Sequence, residues 1–285
     1  MKNKSKRFVE IIGLLFLIAG FLMVIISIDF ISSHRTLPIL MYHSISNSGE
    51  KSNILTINTD VFKQQMEYLR GHNYNVVSLK TASDIIKKGK KIPLRWVVLT
   101  FDDGNKDFYT EAYPIIKKYN FKVTIFPTIY RTDTGKEYMN WIELNNLMVD
   151  KLVDIGSHGL WHLPLSGTSL LEAKQQIFDS KLIFEKKLNK SVIFFSYPFG
   201  AVNDSIKKIV QAAGYEAAVG TAYRKGEFED NDVYILKRVF VSKISKYPLI
   251  FRFMLSGYYI STRELILRIL NIKVPRDSDM LILNV

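Results

Sequence analysis

Along most of the chain, short apolar runs alternate with longer stretches in which apolar residues recur at helical spacing. Leu37–Tyr42 and Trp96–Phe101 read as buried strands, and Phe121–Phe126, Leu152–Ile155, Val192–Tyr197, Glu216–Val219 and Leu236–Val241 as further strands. Between them lie helical patterns. Asp60–Gly71 places Val61, Phe62, Met66 and Leu69 on one side, with Thr59 or Asp60 as cap. Ala112–Tyr119 admits Pro114 only near its first turn. Trp141–Val149 follows, then a long helix from Ser169 to Leu188 in which Ser169 and Glu172 form a capping box. Asp204–Ala213 is closed by Gly214. Strands alternating with helices predict an α/β domain with a largely parallel, covered sheet, and such sheets build their sites at the carboxyl ends of the strands.

Two segments break this rhythm. Ile11–Ile28 is uncharged and apolar throughout, long enough to span a bilayer as a helix. Lys2, Lys4, Lys6 and Arg7 precede it, so the N-terminus is expected to stay in the cytoplasm and the rest to be exported. The alternative is a cleaved signal peptide, but Ile28-Asp29-Phe30-Ile31 lacks the small residues of a cleavage site, which favours an uncleaved signal anchor. At the other end Ser242–Val285 is apolar and basic, with helical spacing over Arg263–Lys273. It either rests on the membrane or packs on the domain as an extra helix, and packing is the expected outcome. The organisation is thus a cytoplasmic stub and transmembrane anchor over 1–31, a linker over 32–36, a catalytic domain over 37–241 and an extension over 242–285.

Composition narrows the chemistry. The 285 residues leave room for one sizeable domain beyond the anchor, and 47% hydrophobic residues argue for a packed core. The net charge of +12 suits anionic lipid or wall polymer as well as nucleic acid, and no nucleic-acid motif accompanies it. There is no cysteine, which excludes disulfides, thiolate nucleophiles and Cys-ligated zinc.

Polar residues gather where the predicted strands end. Thr100-Phe101-Asp102-Asp103-Gly104 closes one; alone, such a run is more often a capped turn than a catalytic pair. His158-Gly159-Leu160-Trp161-His162 follows another, with two of the chain's five histidines at i and i+4, the spacing of metal ligands on a helical turn. One carboxylate and two imidazoles would hold a divalent ion with an open position, leaving the second carboxylate free as a base. A glycosidase also uses two carboxylates, but set apart across the bond, unlike adjacent Asp102 and Asp103.

Those two motifs, followed in order by Tyr197-Pro198-Phe199-Gly200, resemble the polysaccharide deacetylase family, also known as the NodB-homology or carbohydrate esterase 4 family. The resemblance covers roughly Leu37 to Val241. It implies a distorted (β/α) barrel and removal of acetyl groups from an amino-sugar polymer. It also implies Asp102 as general base, Asp103, His158 and His162 as metal ligands, and the Tyr197 main-chain N–H as an oxyanion donor. The ion is most simply Zn2+, with Co2+, Ni2+ or Mn2+ also suited to such ligands.

Two departures from the family pattern bear on mechanism. The late Leu-x-His that supplies an acid is missing; Leu236-Lys237-Arg238 stands there and no histidine follows His162. The early Met41-Tyr42-His43 resembles the branch that deacetylates poly-β-1,6-N-acetylglucosamine, which implies His43 as the acid, the alternative being a strand-end histidine bonded to a loop carbonyl. The arginine that orients the base is also missing, Ser196 or Tyr197 occupying its place. Arg238 is the substitute donor to Asp102, or else part of a structural ion pair. Among nearby aromatics, Trp161 and Phe199 are the candidates for contact with sugar rings. The expected function is metal-dependent N-deacetylation of an extracellular amino-sugar polymer, probed against a peptidoglycan N-acetylglucosamine deacetylase and a non-catalytic carbohydrate-binding module at the membrane.

Overall fold

The computed structural model describes residues 35–47, 54–221 and 232–270. The predicted anchor over Ile11–Ile28 lies outside them, as do the end of the C-terminal helix pattern and most of the linker. Among the described residues no helix is long and apolar enough to cross a membrane.

The strands are β1 (Ile39–Tyr42), β2 (Ser44–Ile45), β3 (Thr56–Ile57), β4 (Asn75–Val76), β5 (Trp96–Asp103), β6 (Val123–Pro127), β7 (Val153–Ile155), β8 (Phe194–Ser196), β9 (Ala217–Val219) and β10 (Val239–Phe240). Every pairing among them is parallel. The main sheet runs β10-β1-β5-β6-β7, with β4 also on β5, and β8-β9 form a separate pair. Two isolated parallel bridges, Ser157 to Phe195 and Val219 to Leu236, join that pair to the main sheet on either side. The result is a ring of strands closed by single bridges, the distorted barrel that the motif order implies.

The helices are α1 (Thr59–Gly71), α2 (Leu79–Lys87), α3 (Tyr113–Tyr119), α4 (Trp141–Val149), α5 (Leu170–Leu188), α6 (Asp204–Ala212), α7 (Pro248–Met254) and α8 (Tyr259–Ile269). Local chemistry moves several predicted ends. Asn58, not Thr59 or Asp60, caps α1, because its Oδ1 accepts from the N–H groups of Asp60 and Val61. A π-helical turn over Phe108–Ala112 precedes α3, which puts Pro114 in the first turn as its missing N–H requires. Ser169 accepts from the Glu172 N–H, while the reciprocal half of a capping box appears instead at α4, between Asn140 and Glu143.

The C-terminal segment packs, as expected of an extra helix. Phe251, Met254, Leu255 and Ile260 join the same buried cluster as Tyr42, Phe62 and Phe101. A buried relay ties it further: the Tyr42 hydroxyl donates to Gln65, whose amide donates to the Ser245 hydroxyl. The expected boundary at 241/242 is therefore not a break in the core. The chain's entry is fastened here too, since the Thr36 N–H donates to the Gly257 carbonyl at 2.9 Å.

Candidate active site

Asp102 and Asp103 end β5, and the backbone there explains how neighbours serve one site. Along a regular strand they would face opposite ways. Asp103 has φ +73°, which breaks the alternation, and Gly104 follows at φ +76°. A side chain at 104 would meet Pro127 Cβ at 2.7 Å, so the turn requires glycine. Both carboxylates then line one cavity of about 380 Å³ together with His43, His158, His162, Tyr197, Phe199 and Arg238.

The histidine pair comes together differently from the helical turn its spacing predicts. Residues 158–162 form a loop, with Gly159 at φ +81° and His162 at φ +57°. Gln176, buried on α5, replaces helical bonding: its Oε1 accepts from the N–H groups of Leu160 and Trp161, at 3.1 and 2.9 Å. The two imidazole centroids end 4.8 Å apart.

Asp103, His158 and His162 each offer a ligand atom, all within 4.8 Å of one another. The donor set fits a divalent cation on three observations. His158 Nδ1 lies 2.7 Å from the Ser196 carbonyl, which only accepts, so Nδ1 carries the proton and Nε2 presents a lone pair inward. Burial pulls the His158 pKa down to about 4, against the pull of Asp102, so the ring is neutral and competent to ligate. Asp103 Oδ1 is buried with no aligned hydrogen-bond donor, although Arg131 Nη1 lies 2.6 Å and His162 Nε2 3.2 Å from it. Burial raises the Asp103 pKa, and the His162, His43 and Arg131 side chains overcome that and hold it far below the carboxylate range.

Asp102 is the companion carboxylate. Arg238 grips it with both ends of its fork, Nη1 to Oδ1 at 2.7 Å and Nη2 to Oδ2 at 2.6 Å. The remaining guanidinium bonds go to Gly220 O, Thr100 Oγ1 and Ser196 Oγ. Register explains the reach: Val239 and Leu99 both pair with Leu40, so Arg238 starts well below Asp102 and runs up the barrel interior. Burial raises the Asp102 pKa, but the charge and hydrogen bonds of Arg238 more than compensate and hold it below the usual carboxylate value. Arg238 thus makes the contact with Asp102 that was expected of it, and Ser196 also donates to Asp102 Oδ2 at 3.3 Å.

One expectation is corrected. The Tyr197 N–H donates to the Val219 carbonyl at 3.0 Å, and its hydroxyl to the Tyr234 carbonyl, so sheet pairing occupies the donor expected to face an oxyanion. The Phe199 N–H has no hydrogen-bond partner among the described residues, and Phe199 sits at φ +57° with its ring 4.6 Å from that of His162. Trp161 does not line the cavity; it is exposed and lies against Tyr130. His43 does line it, with Nδ1 buried and unpaired. Burial lowers its pKa while Asp103 and Asp102 raise it. Sequence reasoning missed Arg131, Tyr130 and Gln176, none of which lies within a recognisable motif.

Comparison with known proteins shows the family of the chain. A family model described as polysaccharide deacetylase matches residues 89–218. YxkH of Bacillus subtilis (strain 168), assigned by name to the polysaccharide deacetylases, is 34% identical over 206 residues, 72% of this chain and 71% of that protein. The poly-β-1,6-N-acetyl-D-glucosamine N-deacetylase of Staphylococcus aureus (strain MSSA476) is 27% identical over 213 residues, 69% of this chain and 71% of its own. Among solved structures, the Streptococcus pyogenes deacetylase PplD in complex with acetate superposes with a TM-score of 0.64 at 28% identity, covering 72% of this chain and 92% of that one. IcaB from Ammonifex degensii shares the fold, with a TM-score of 0.67 at 21% identity over 77% and 97% of the two chains. The chain belongs to the polysaccharide deacetylase family of NodB homology, carbohydrate esterase family 4, hydrolases acting on amide bonds of polysaccharides.

Proposed function

We propose that this deacetylase is metal-dependent, works outside the cytoplasmic membrane, and removes N-acetyl groups from poly-β-1,6-N-acetylglucosamine. One observation carries the metal reading: Asp103, His158 and His162 converge around a buried oxygen without an aligned donor, beside a second carboxylate held ionised by Arg238. A divalent ion, Zn2+ or alternatively Co2+, Ni2+ or Mn2+, would supply Lewis acidity to the acetamide carbonyl and to the attacking water.

The chain's own groups divide the remaining work. Asp102 accepts a proton from the water, and Arg238 keeps it ionised and oriented. The Phe199 N–H, which has no partner among the described residues, would donate to the oxygen of the tetrahedral intermediate. His43 delivers a proton to the departing nitrogen, a step that amide cleavage needs because an amide anion is a poor leaving group. The β-1,6 linkage is supported by the early Met41-Tyr42-His43, the lack of any histidine beyond His162, and the Staphylococcus aureus relative.

Placement at the membrane rests on the uncharged run Ile11–Ile28 behind a basic N-terminus. It is further supported by exposed Tyr247, Leu249 and Phe253 among Lys246 and Arg252, on the α7 side where residue 36 joins the domain. Fractionation of cells and protease treatment of intact cells test it. A chain recovered in the soluble cytoplasmic fraction overturns it.

The substrate is tested by incubating the metal-loaded protein with β-1,6- and β-1,4-linked N-acetylglucosamine oligomers and measuring acetate and free amine. Faster release from the β-1,6 series is expected. Preference for the β-1,4 series would instead favour a peptidoglycan-type substrate, and release from neither would overturn the amino-sugar reading.

A further inference from the structure

Tyr130 and Trp161 are large apolar rings that the fold leaves in solvent, 57% and 54% exposed. Rings of that size normally contribute their area to a core. Here they lie against each other, with centroids 4.7 Å apart and planes tilted by 41°. Neither belongs to the cavity lining, so neither reaches the acetamide.

Their backbones are fixed. The Tyr130 N–H donates to Leu160 O at 2.9 Å, and the Trp161 N–H to the buried Gln176 side chain at 2.9 Å. Each ring is also one residue from the reaction centre. Trp161 precedes His162, and Tyr130 precedes Arg131, whose Nη1 lies 2.6 Å from Asp103 Oδ1. The pair is thus an apolar shelf carried on backbone that is hydrogen-bonded in place, next in sequence to residues of the proposed metal site.

We infer that Tyr130 and Trp161 form a binding subsite, outside the catalytic cavity, for the apolar face of a sugar residue flanking the one being deacetylated. This rests on the polymer reading given above. A β-linked N-acetylglucosamine ring carries its polar groups around its rim and C–H bonds on its faces, so an open pair of aromatic planes buries a face while the rim stays hydrated. Because both backbones are hydrogen-bonded in place and the rings lie against each other, less conformational entropy opposes binding than for a free pair. A substrate of one or two sugars fills the cavity without reaching the shelf, whereas a longer chain engages both.

The test compares the wild-type protein with Tyr130→Ala, Trp161→Ala, the double variant and Trp161→Phe, on β-1,6-linked oligomers of increasing length. The readout is the ratio of kcat/KM for long to short oligomers, with bound metal measured in every variant. The double variant should lower that ratio about tenfold, equivalent to about 1.4 kcal/mol, and Trp161→Phe should retain most of it. An unchanged ratio in the metal-replete Tyr130→Ala protein overturns the subsite, as does a wild-type enzyme indifferent to length. Tryptophan fluorescence of the metal-stripped wild type, titrated with the same oligomers, separates the two readings. Length-dependent binding without turnover in the metal-loaded protein would sink the proposed reaction and leave the shelf standing.

Discussion

Arg238 and Asp102 meet across 136 positions of sequence as a buried, two-pronged ion pair, the guanidinium 1% and the carboxylate 3% exposed. The pair fixes both the direction and the charge of the proposed base. Truncation of Arg238 would leave that carboxylate buried and uncompensated, a loss of about 3–5 kcal/mol. The subtler variant is Arg238→Lys, which keeps the charge and loses the fork. With attraction for the ionised form weakened, the Asp102 pKa rises, so the base is protonated at higher pH. The acid limb of the pH–activity profile should therefore move upward, read from kcat/KM against pH. An unmoved limb would separate Arg238 from the base.

Asp102→Asn keeps the shape and removes the proton acceptor. A fall in kcat of about 10²–10⁴-fold is expected. Bound metal should be retained, since the three proposed ligands are untouched. Loss of metal in this variant would instead make Asp102 a ligand.

Asp103→Ala and His158→Ala should each lose metal and activity together, and a chelator should abolish wild-type turnover until a divalent ion is returned. Metal analysis of the purified variants is the direct check. Turnover that survives both the chelator and His158→Ala would end the metal mechanism.

His43→Gln addresses the proton donor. Amide substrates should slow by about 10²–10⁴-fold, while an aryl acetate, whose leaving group departs without a proton, should slow far less. Equal losses on both would make His43 a structural residue of the rim.

Asp154 offers a stability test away from the site. It lies on β7 opposite Thr124, where burial raises its pKa and Lys190 and Lys122 only partly offset the effect. A carboxyl whose pKa is higher in the folded state binds its proton more tightly there. Its contribution to stability is therefore greatest at low pH and falls as pH rises from the unfolded value of about 3.9 through the folded one. Asp154→Asn should remove that dependence and raise the midpoint of thermal unfolding at neutral pH by a few degrees at most. A lower midpoint would show that the charge is favourably paired.

The legible part of the fold was what local pattern determines. The run Trp96–Phe101 marked β5, and Trp141–Val149 marked α4 to its ends. Short elements were not legible: β4 has two residues, one of them exposed, so it lacks a run. The helix α2 did carry a signal in its spacing, with Ser78 as cap and Leu79, Ala82 and Ile86 buried on one face. In the site, the candidate ligands Asp103, His158 and His162 were legible from motif, and Arg238 from elimination. The Tyr197 N–H was not, because its engagement with Val219 is a matter of strand pairing. Arg131 was hidden for a similar reason: its contact with Asp103 depends on the path of the loop after β6.

Three cavity residues, Asp103, His162 and Phe199, hold left-handed backbone at φ +73°, +57° and +57°. Such conformations cost roughly 1–3 kcal/mol each for side chains of this kind. A library of variants sorted for heat resistance alone would enrich glycine at all three positions. The survivors would be sturdier proteins that have discarded a carboxylate, an imidazole and an aromatic wall. Durability and turnover pull against each other here through backbone geometry, and screens of this enzyme should couple the two selections from the first round.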